Sequence, residues 1–202
     1  MAISLQKGQK VSLKKGAATP GLGEILVNLN WNSKPKKQGL LKSLLGGGQG
    51  IDLDLGCLFE LKDGRKGAVQ ALGNAFGSLV HPPYVALDGD DRTGAAVSGE
   101  NLRINGDKIA EIRRVLVYTF IYEGIANWQQ ADATVTIKYP GAEDLIVKMD
   151  DYNSKEVMCG LVLFENINDE TFSVEKIVQF YPGHPDLDRA FNWGLQWRAG
   201  RK

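Results

Sequence analysis

Cysteine and histidine are scarce, with two of each among 202 residues. Cys57 lies far from Cys159, and His81 far from His184, so no spacing of the kind that zinc requires is present. The same scarcity leaves no Ser/His/Asp or Cys/His constellation for nucleophilic catalysis. Both cysteines fall in apolar, strand-like sequence, which suits inert buried thiols better than a disulfide or a reactive group. No signal-peptide pattern opens the chain, and together with the missing disulfide framework this makes a reducing cytoplasm the expected location. No apolar run approaches the roughly eighteen residues of a membrane-spanning helix. Neither sign of charge is in excess: Lys+Arg and Asp+Glu number 24 each, which argues against a general nucleic-acid binder with its basic surplus.

Glycine, by contrast, is plentiful at 24 residues, as in a turn-rich β protein. The length suits one domain over residues 1–202 with room for a sizeable core. Ile3, Leu5, Val11 and Leu13 alternate with polar residues around Gly8, predicting two short strands and a turn. Glu24 to Trp31 alternates cleanly, with Ile25, Val27, Leu29 and Trp31 on one face. Ile51 to Phe59 puts Ile51, Leu53 and Leu55 on a core face and aims Asp52 and Asp54 the other way. Surface strands carry such acidic pairs harmlessly, so the pair alone decides nothing.

Residues 66–86 are poorly patterned, and His81 before Pro82-Pro83 reads as a loop residue. Asp107 to Arg114 has N-cap and spacing signals for a short helix. Val115 to Glu123 is apolar on both faces, which predicts a central strand. Four further strands follow, at 133–139, 145–149, 157–164 and 171–181, separated by turn signals. Asp186 to Trp197 carries a helical stripe of Leu187, Phe191 and Leu195, with His184 in its cap. Many strands without alternating helices predict an all-β fold, an antiparallel β-sandwich of two sheets with short peripheral helices.

Residues 33–50 interrupt this pattern with a basic stretch, a Leu40-Leu41-Leu44-Leu45 stripe and a glycine run. The simplest reading is a mobile surface loop. Its leucine stripe also offers a surface that could dock on the body, on a partner protein or, peripherally, on an anionic membrane. No Lys-Ser/Thr follows the glycines, so it is not a phosphate loop.

The chain's densest chemistry lies at Leu87-Asp88-Gly89-Asp90-Asp91-Arg92-Thr93-Gly94. Three carboxylates within four residues repel one another unless a cation lies among them or they fan out into water. Glycines let the backbone curl so that several oxygens aim at one point, an arrangement that suits Ca²⁺. A solvated turn explains the same local sequence, and the loop is not an EF-hand, because Arg92, Thr93 and Gly99 stand at its fifth, sixth and twelfth places. The metal reading therefore draws on acids elsewhere in the chain.

The order of motifs resembles the TerD family of tellurium-resistance and stress proteins over nearly the whole chain. Ser4-Leu5-Gln6-Lys7-Gly8 and Val11-Ser12-Leu13 look like that family's opening. Gly50-Ile51-Asp52-Leu53-Asp54 is similar to its Asp-Phe-Asp-Leu-Asp strand, and Asp90-Asp91-Arg92-Thr93-Gly94 to its Gly-Asp-Asn-Leu-Thr-Gly loop. Gly99-Glu100-Asn101 and Tyr122-Glu123-Gly124 fall at two further acidic positions. The chain departs from the pattern in its long insertion, in Gly56-Cys57 after the second Asp, and in Asn101 where a second acid is common.

The resemblance implies a β-sandwich, calcium held by acidic loops, a role in resistance to tellurite and other stresses, and no catalytic activity. It carries Asp52, Asp54, Asp90, Asp91, Glu100 and Glu123 over as calcium ligands, with Asp88, Thr93 and Asn101 as further members. Two readings compete with a calcium-binding stress protein. One is a metal-dependent phosphoesterase, in which the Asp cluster holds the metal and Arg92 meets a phosphate, although no histidine lies near the cluster. The other is a calcium-switched scaffold whose partner surface, for other stress-response proteins, is the basic, leucine-rich insertion.

Overall fold

The computed structural model describes residues 2–16, 21–32, 51–88, 99–123, 127–149 and 155–198. The insertion at 33–50 and the loop residues 89–98 fall outside this set. In chain order the strands are β1 (Ile3–Ser4), β2 (Lys10–Ser12), β3 (Glu24–Asn30), β4 (Asp52–Leu61), β5 (Lys66–Gln70), β6 (Gly77–Ser78) and β7 (Val85–Leu87). They continue with β8 (Glu100–Asn105), β9 (Ile112–Glu123), β10 (Thr134–Lys138), β11 (Leu145–Lys148), β12 (Met158–Ile167) and β13 (Thr171–Tyr181). Two short α-helices are added, α1 (Trp128–Ala131) and α2 (His184–Ala190).

These strands form two sheets, ordered β1-β11-β10-β3-β8-β7-β6 and β2-β13-β12-β9-β4-β5. Pairing is antiparallel throughout except for β1 with β11. The fold is thus the all-β sandwich that strand alternation and turn spacing predict. In β3, Ile25, Val27 and Leu29 are fully buried, while Leu26 and Asn28 stay half-exposed on the outer face of the seven-stranded sheet. This is the period-two pattern of a sheet with one face in the core. The shared interior joins β3, β8 and β10 to Leu53, Leu55, Val115, Val117, Phe164 and Val174 of the other sheet.

The six-stranded sheet is covered on its outer face as well. There Leu58, Leu116, Tyr118, Phe120, Met158 and Tyr181 pack under Leu187 and Trp193 from the C-terminal segment. That second layer explains why β9 is apolar on both sides. It also explains why Asp54, on the face opposite Leu53 and Leu55, is only 1% exposed.

Several boundaries differ from the sequence reading, among them the end of β12, which runs to Ile167 rather than Phe164. The stretch expected as a helix over 107–114 is a 3₁₀ helix over Gly106–Glu111, and β9 begins three residues early, at Ile112. Ile112 aligns with Leu61, and Arg114 pairs across to β4 and β12, so strand pairing on both sides outweighs a weak local helix signal. The C-terminal helix ends at Ala190 rather than Trp197. The Asp188 carboxylate accepts the N–H groups of Gly194 and Leu195 at 2.8 and 2.9 Å and the Trp197 Nε1–H at 3.0 Å, which turns the chain back onto the sheet. Residues 66–86, unpatterned in sequence, contain β5, β6 and the start of β7; the last two are only two and three residues long, too short to show a period. Among the described residues no helix is long and apolar enough to cross a membrane.

Candidate metal centre

The expected ligands divide into three groups. Asp52 and Asp54 lie on β4, and Asp52 is the direct cross-strand neighbour of Glu123, the last residue of β9. A bulge lies between Asp52 and Leu53, where Leu53 aligns with Ile121 and Asp54 with Phe120. Bulges re-aim side chains at sheet ends, and this one falls between two acids.

Glu100 comes from the other sheet. It begins β8 with its side chain turned into the sandwich, alongside buried Leu102 and Ile104, and is 3% exposed. Its Oε2 accepts the backbone N–H of Leu55 at 2.5 Å. β5 pairs with β4 only from Gly56 onward, so Leu55 has no β5 residue opposite it and a side chain of the facing sheet takes its N–H. Glu100 therefore ties the two sheets together one peptide away from Asp54. Charge-assisted bonds of this kind are short and about twice as strong as neutral ones.

Asp88 and Asn101 are not brought to this point. Asn101 lies on the outer face of its sheet, opposite in sense to Glu100, where its Oδ1 accepts from Asn28 Nδ2 at 2.8 Å. Asp88 is exposed, and both of its carboxylate oxygens accept from Arg103 Nε, at 2.7 and 2.8 Å. Asp90, Asp91 and Thr93 lie outside the described residues. Among the described residues no group of three or more His, Cys, Asp or Glu is close enough to hold a metal ion.

Sequence reasoning missed a polar network next to Asp54. The Tyr118 hydroxyl donates to Gln70 Oε1 at 2.6 Å, and His184 Nε2 lies 3.0 Å from the same oxygen. His184 is boxed by Tyr118, Phe120 and Trp197, with ring centroids 5.4, 5.0 and 4.8 Å away. Burial pushes its imidazole down to about 4, so it is neutral at pH 7. Burial likewise raises the Tyr118 phenol well above its ordinary range, helped by Cys57 and then by the nearby charge of Asp54. Gly56 makes room for this ring: a Cβ there would lie 2.8 Å from Tyr118 Cε2. The glycine that departs from the resembled pattern was the one available signal.

The two-sheet, largely antiparallel sandwich, with Glu100 of one sheet bonded to the Leu55 N–H of the other, is the fold that defines the class of this protein. The chain belongs to the TerD domain family, whose model matches residues 1–139. It is 43% identical over 201 residues to tellurium resistance protein TerA of Alcaligenes sp, covering 99% of this chain and 58% of that protein. Stress response protein SCP2 of Bacillus subtilis (strain 168) is 34% identical over 138 residues, covering 64% of this chain and 65% of its own. Tellurium resistance protein TerZ of Serratia marcescens is 36% identical over 116 residues, covering 56% and 50%. The chain thus spans between half and two thirds of the length of these relatives, and they are named as resistance and stress proteins, not as enzymes. The fold is also that of a homologue of telluride resistance protein (TerD) from Streptomyces coelicolor A3(2), with a TM-score of 0.58 at 18% identity over 83% of this chain and 95% of that one. The protein of unknown function SAV2460 superposes with a TM-score of 0.62 at 13% identity, over 87% and 99%.

Proposed function

We propose that the chain is a non-enzymatic Ca²⁺-binding sandwich that acts in resistance to tellurite and general stress. What supports the calcium part is that strand register and one hydrogen bond bring acids from separate parts of the sequence to the same end of β4. Asp52 faces Glu123 across β4 and β9, and Glu100 reaches over from the other sheet to the peptide after Asp54. Like charges set directly opposite on a sheet are unfavourable, and buried carboxylates more so, unless a cation shares them.

The described acids make only part of a shell. In this reading Asp52, Asp54 and Glu100 supply oxygens from the two sheets, and Glu123, Asp90 and Asp91 supply the rest. A site built from carboxylates and backbone oxygens, without cysteine or histidine, selects a hard cation, and a set spread over several segments suits calcium better than the strict octahedron of magnesium. The ion itself contributes charge neutralisation and a bridge between segments, and no reaction is assigned to it. The resistance role rests on the named relatives, TerA above all.

The test is calorimetric titration of chelator-treated protein with Ca²⁺. Binding in the wild type, lost in Asp54→Asn and in Glu100→Gln, is the expected result. A wild-type chain that gives no heat and no stabilisation in millimolar Ca²⁺ refutes the reading.

A further inference from the structure

We propose that residues 184–198 form an acid-sensitive strap, which opens from the outer face of the six-stranded sheet as a unit while the sandwich stays folded, and that His184 is its proton sensor. The proposal is independent of the calcium reading above.

The strap and the sandwich use different cores. The cluster between the two sheets has no member beyond Phe180, so it closes without the C-terminal segment. That segment belongs to the outer cluster alone, where Leu187 and Trp193 lie with Leu58, Leu116, Tyr118, Phe120 and Met158. Its own parts are tied to one another, because the Asp188 carboxylate on α2 accepts from Gly194, Leu195 and the Trp197 indole. A segment with its own contacts, outside the main core, opens at a lower free energy than the whole domain.

Two ties hold the strap to the sheet. At one, Arg114 Nε donates to Glu60 at 2.6 Å, and Nη1 and Nη2 donate to the Phe191 and Asn192 carbonyls at 2.9 and 3.2 Å. Its guanidinium lies 3.8 Å from the Trp193 ring centre, Lys66 Nζ donates to the Trp193 carbonyl at 3.1 Å, and Trp193 Nε1 donates to the Phe59 carbonyl at 2.9 Å. At the other, His184 opens α2 with Gln70 Oε1 as its polar partner among the described residues. That oxygen also takes the Tyr118 hydroxyl, and an amide oxygen only accepts, so the imidazole carries its proton on Nε2.

A second proton goes to Nδ1 and puts a full charge among the rings of Tyr118, Phe120 and Trp197. The ionisable groups around this box do not offer it a bonded carboxylate. Asp54 reaches Tyr118 by charge alone, Asp188 is occupied by its three donors, Asp186 is paired with Arg189, and Glu60 is held by Arg114 and Lys66 at the other tie. An imidazolium without a counter-ion is better solvated in water, and lifting the strap supplies that water. Burial accordingly holds the imidazole down at about 4.

The test is amide hydrogen exchange on the full chain between pH 6.5 and 4, corrected for intrinsic rates. The N–H groups of Leu187, Phe191 and Trp193, bonded within the segment, report the strap, and those of β3 and β12 report the sandwich. The strap amides open more often than the sandwich amides at each pH, and their opening ratio rises by up to about 300-fold as pH falls from 6.5 to 4. His184→Gln flattens that rise. Arg114→Lys raises strap opening by about tenfold or more at every pH and keeps the rise, because it loosens the other tie. Should His184→Gln fail to fold, the imidazole titration of the wild type followed by NMR takes its place: a midpoint below 5 supports the proposal and one near 6.5 overturns it. Strap amides that exchange only in step with β3 and β12 overturn it too, as does an unchanged pH dependence in His184→Gln.

Discussion

Asp52 lies directly across from Glu123 in the β4–β9 ladder, at the end of the pairing where the register slips by one residue. Two acids about 70 positions apart in the chain are thereby made neighbours by strand register alone. Calcium should therefore stabilise the fold by mass action. At a hundred times its dissociation constant the gain is about 2.7 kcal/mol, seen as a rise of several degrees in melting temperature that Asp54→Asn abolishes. Differential scanning calorimetry with and without chelator checks this.

A second prediction concerns acid. The His184 imidazole titrates near 6.5 when unfolded and about 4 when folded, because burial disfavours its charged form. Between these values the unfolded chain binds the extra proton, so stability falls as pH drops from 6.5 through 4 and is unaffected above 6.5. The wild type should lose up to about 3 kcal/mol more than His184→Gln over this window, measured by urea denaturation at pH 7 and pH 4.

A third concerns the thiols. Cys57 and Cys159 are fully buried and form no disulfide, and burial pushes the Cys57 thiol far above its ordinary range. Neither should react with a thiol reagent in the native protein, and both should react in denaturant. Rapid native labelling would reopen direct thiol chemistry with tellurite.

Two glycines should separate backbone conformation from packing. Gly99→Ala combines positive φ with a clash against the Leu29 carbonyl and should cost about 2–4 kcal/mol. Gly64 also has positive φ but open space around it, so Gly64→Ala should cost only about 1 kcal/mol. Chemical denaturation of the chelated proteins makes the comparison.

The insertion supplies the last. Deleting residues 34–49 should leave calcium binding and melting intact while removing protein partners captured with the full chain. Unchanged capture removes the insertion as the partner surface.

What the sequence made legible was whatever period two could express. Ile25, Val27 and Leu29 on β3, and the two apolar faces of β9, are readable because each strand is long enough to repeat. β6 and β7 are not, at two and three residues. The acids of the candidate site were legible as types, and Asp52 and Asp54 as a pair on one face. Which partner each would meet was not, because Glu100 finds Leu55 through the stacking of two sheets and Arg103 finds Asp88 and Glu24 through strand order. The network of Gln70, Tyr118 and His184 was hidden for the same reason, its members lying on three elements joined only by packing.

The first two strands are shared out between the sheets: β1 borders the seven-stranded sheet beside β11, and β2 borders the six-stranded one beside β13. Both of those partners lie beyond residue 139, as does β12, which flanks β9. The stretch that the family model matches therefore ends before the strands that β1 and β2 need as partners, although the likeness to TerA runs on through them. A polypeptide stopped at residue 139 would hold Asp52, Asp54, Glu100 and Glu123, yet its opening strands would have no partner and its central strand would be bordered on one side only, by β4.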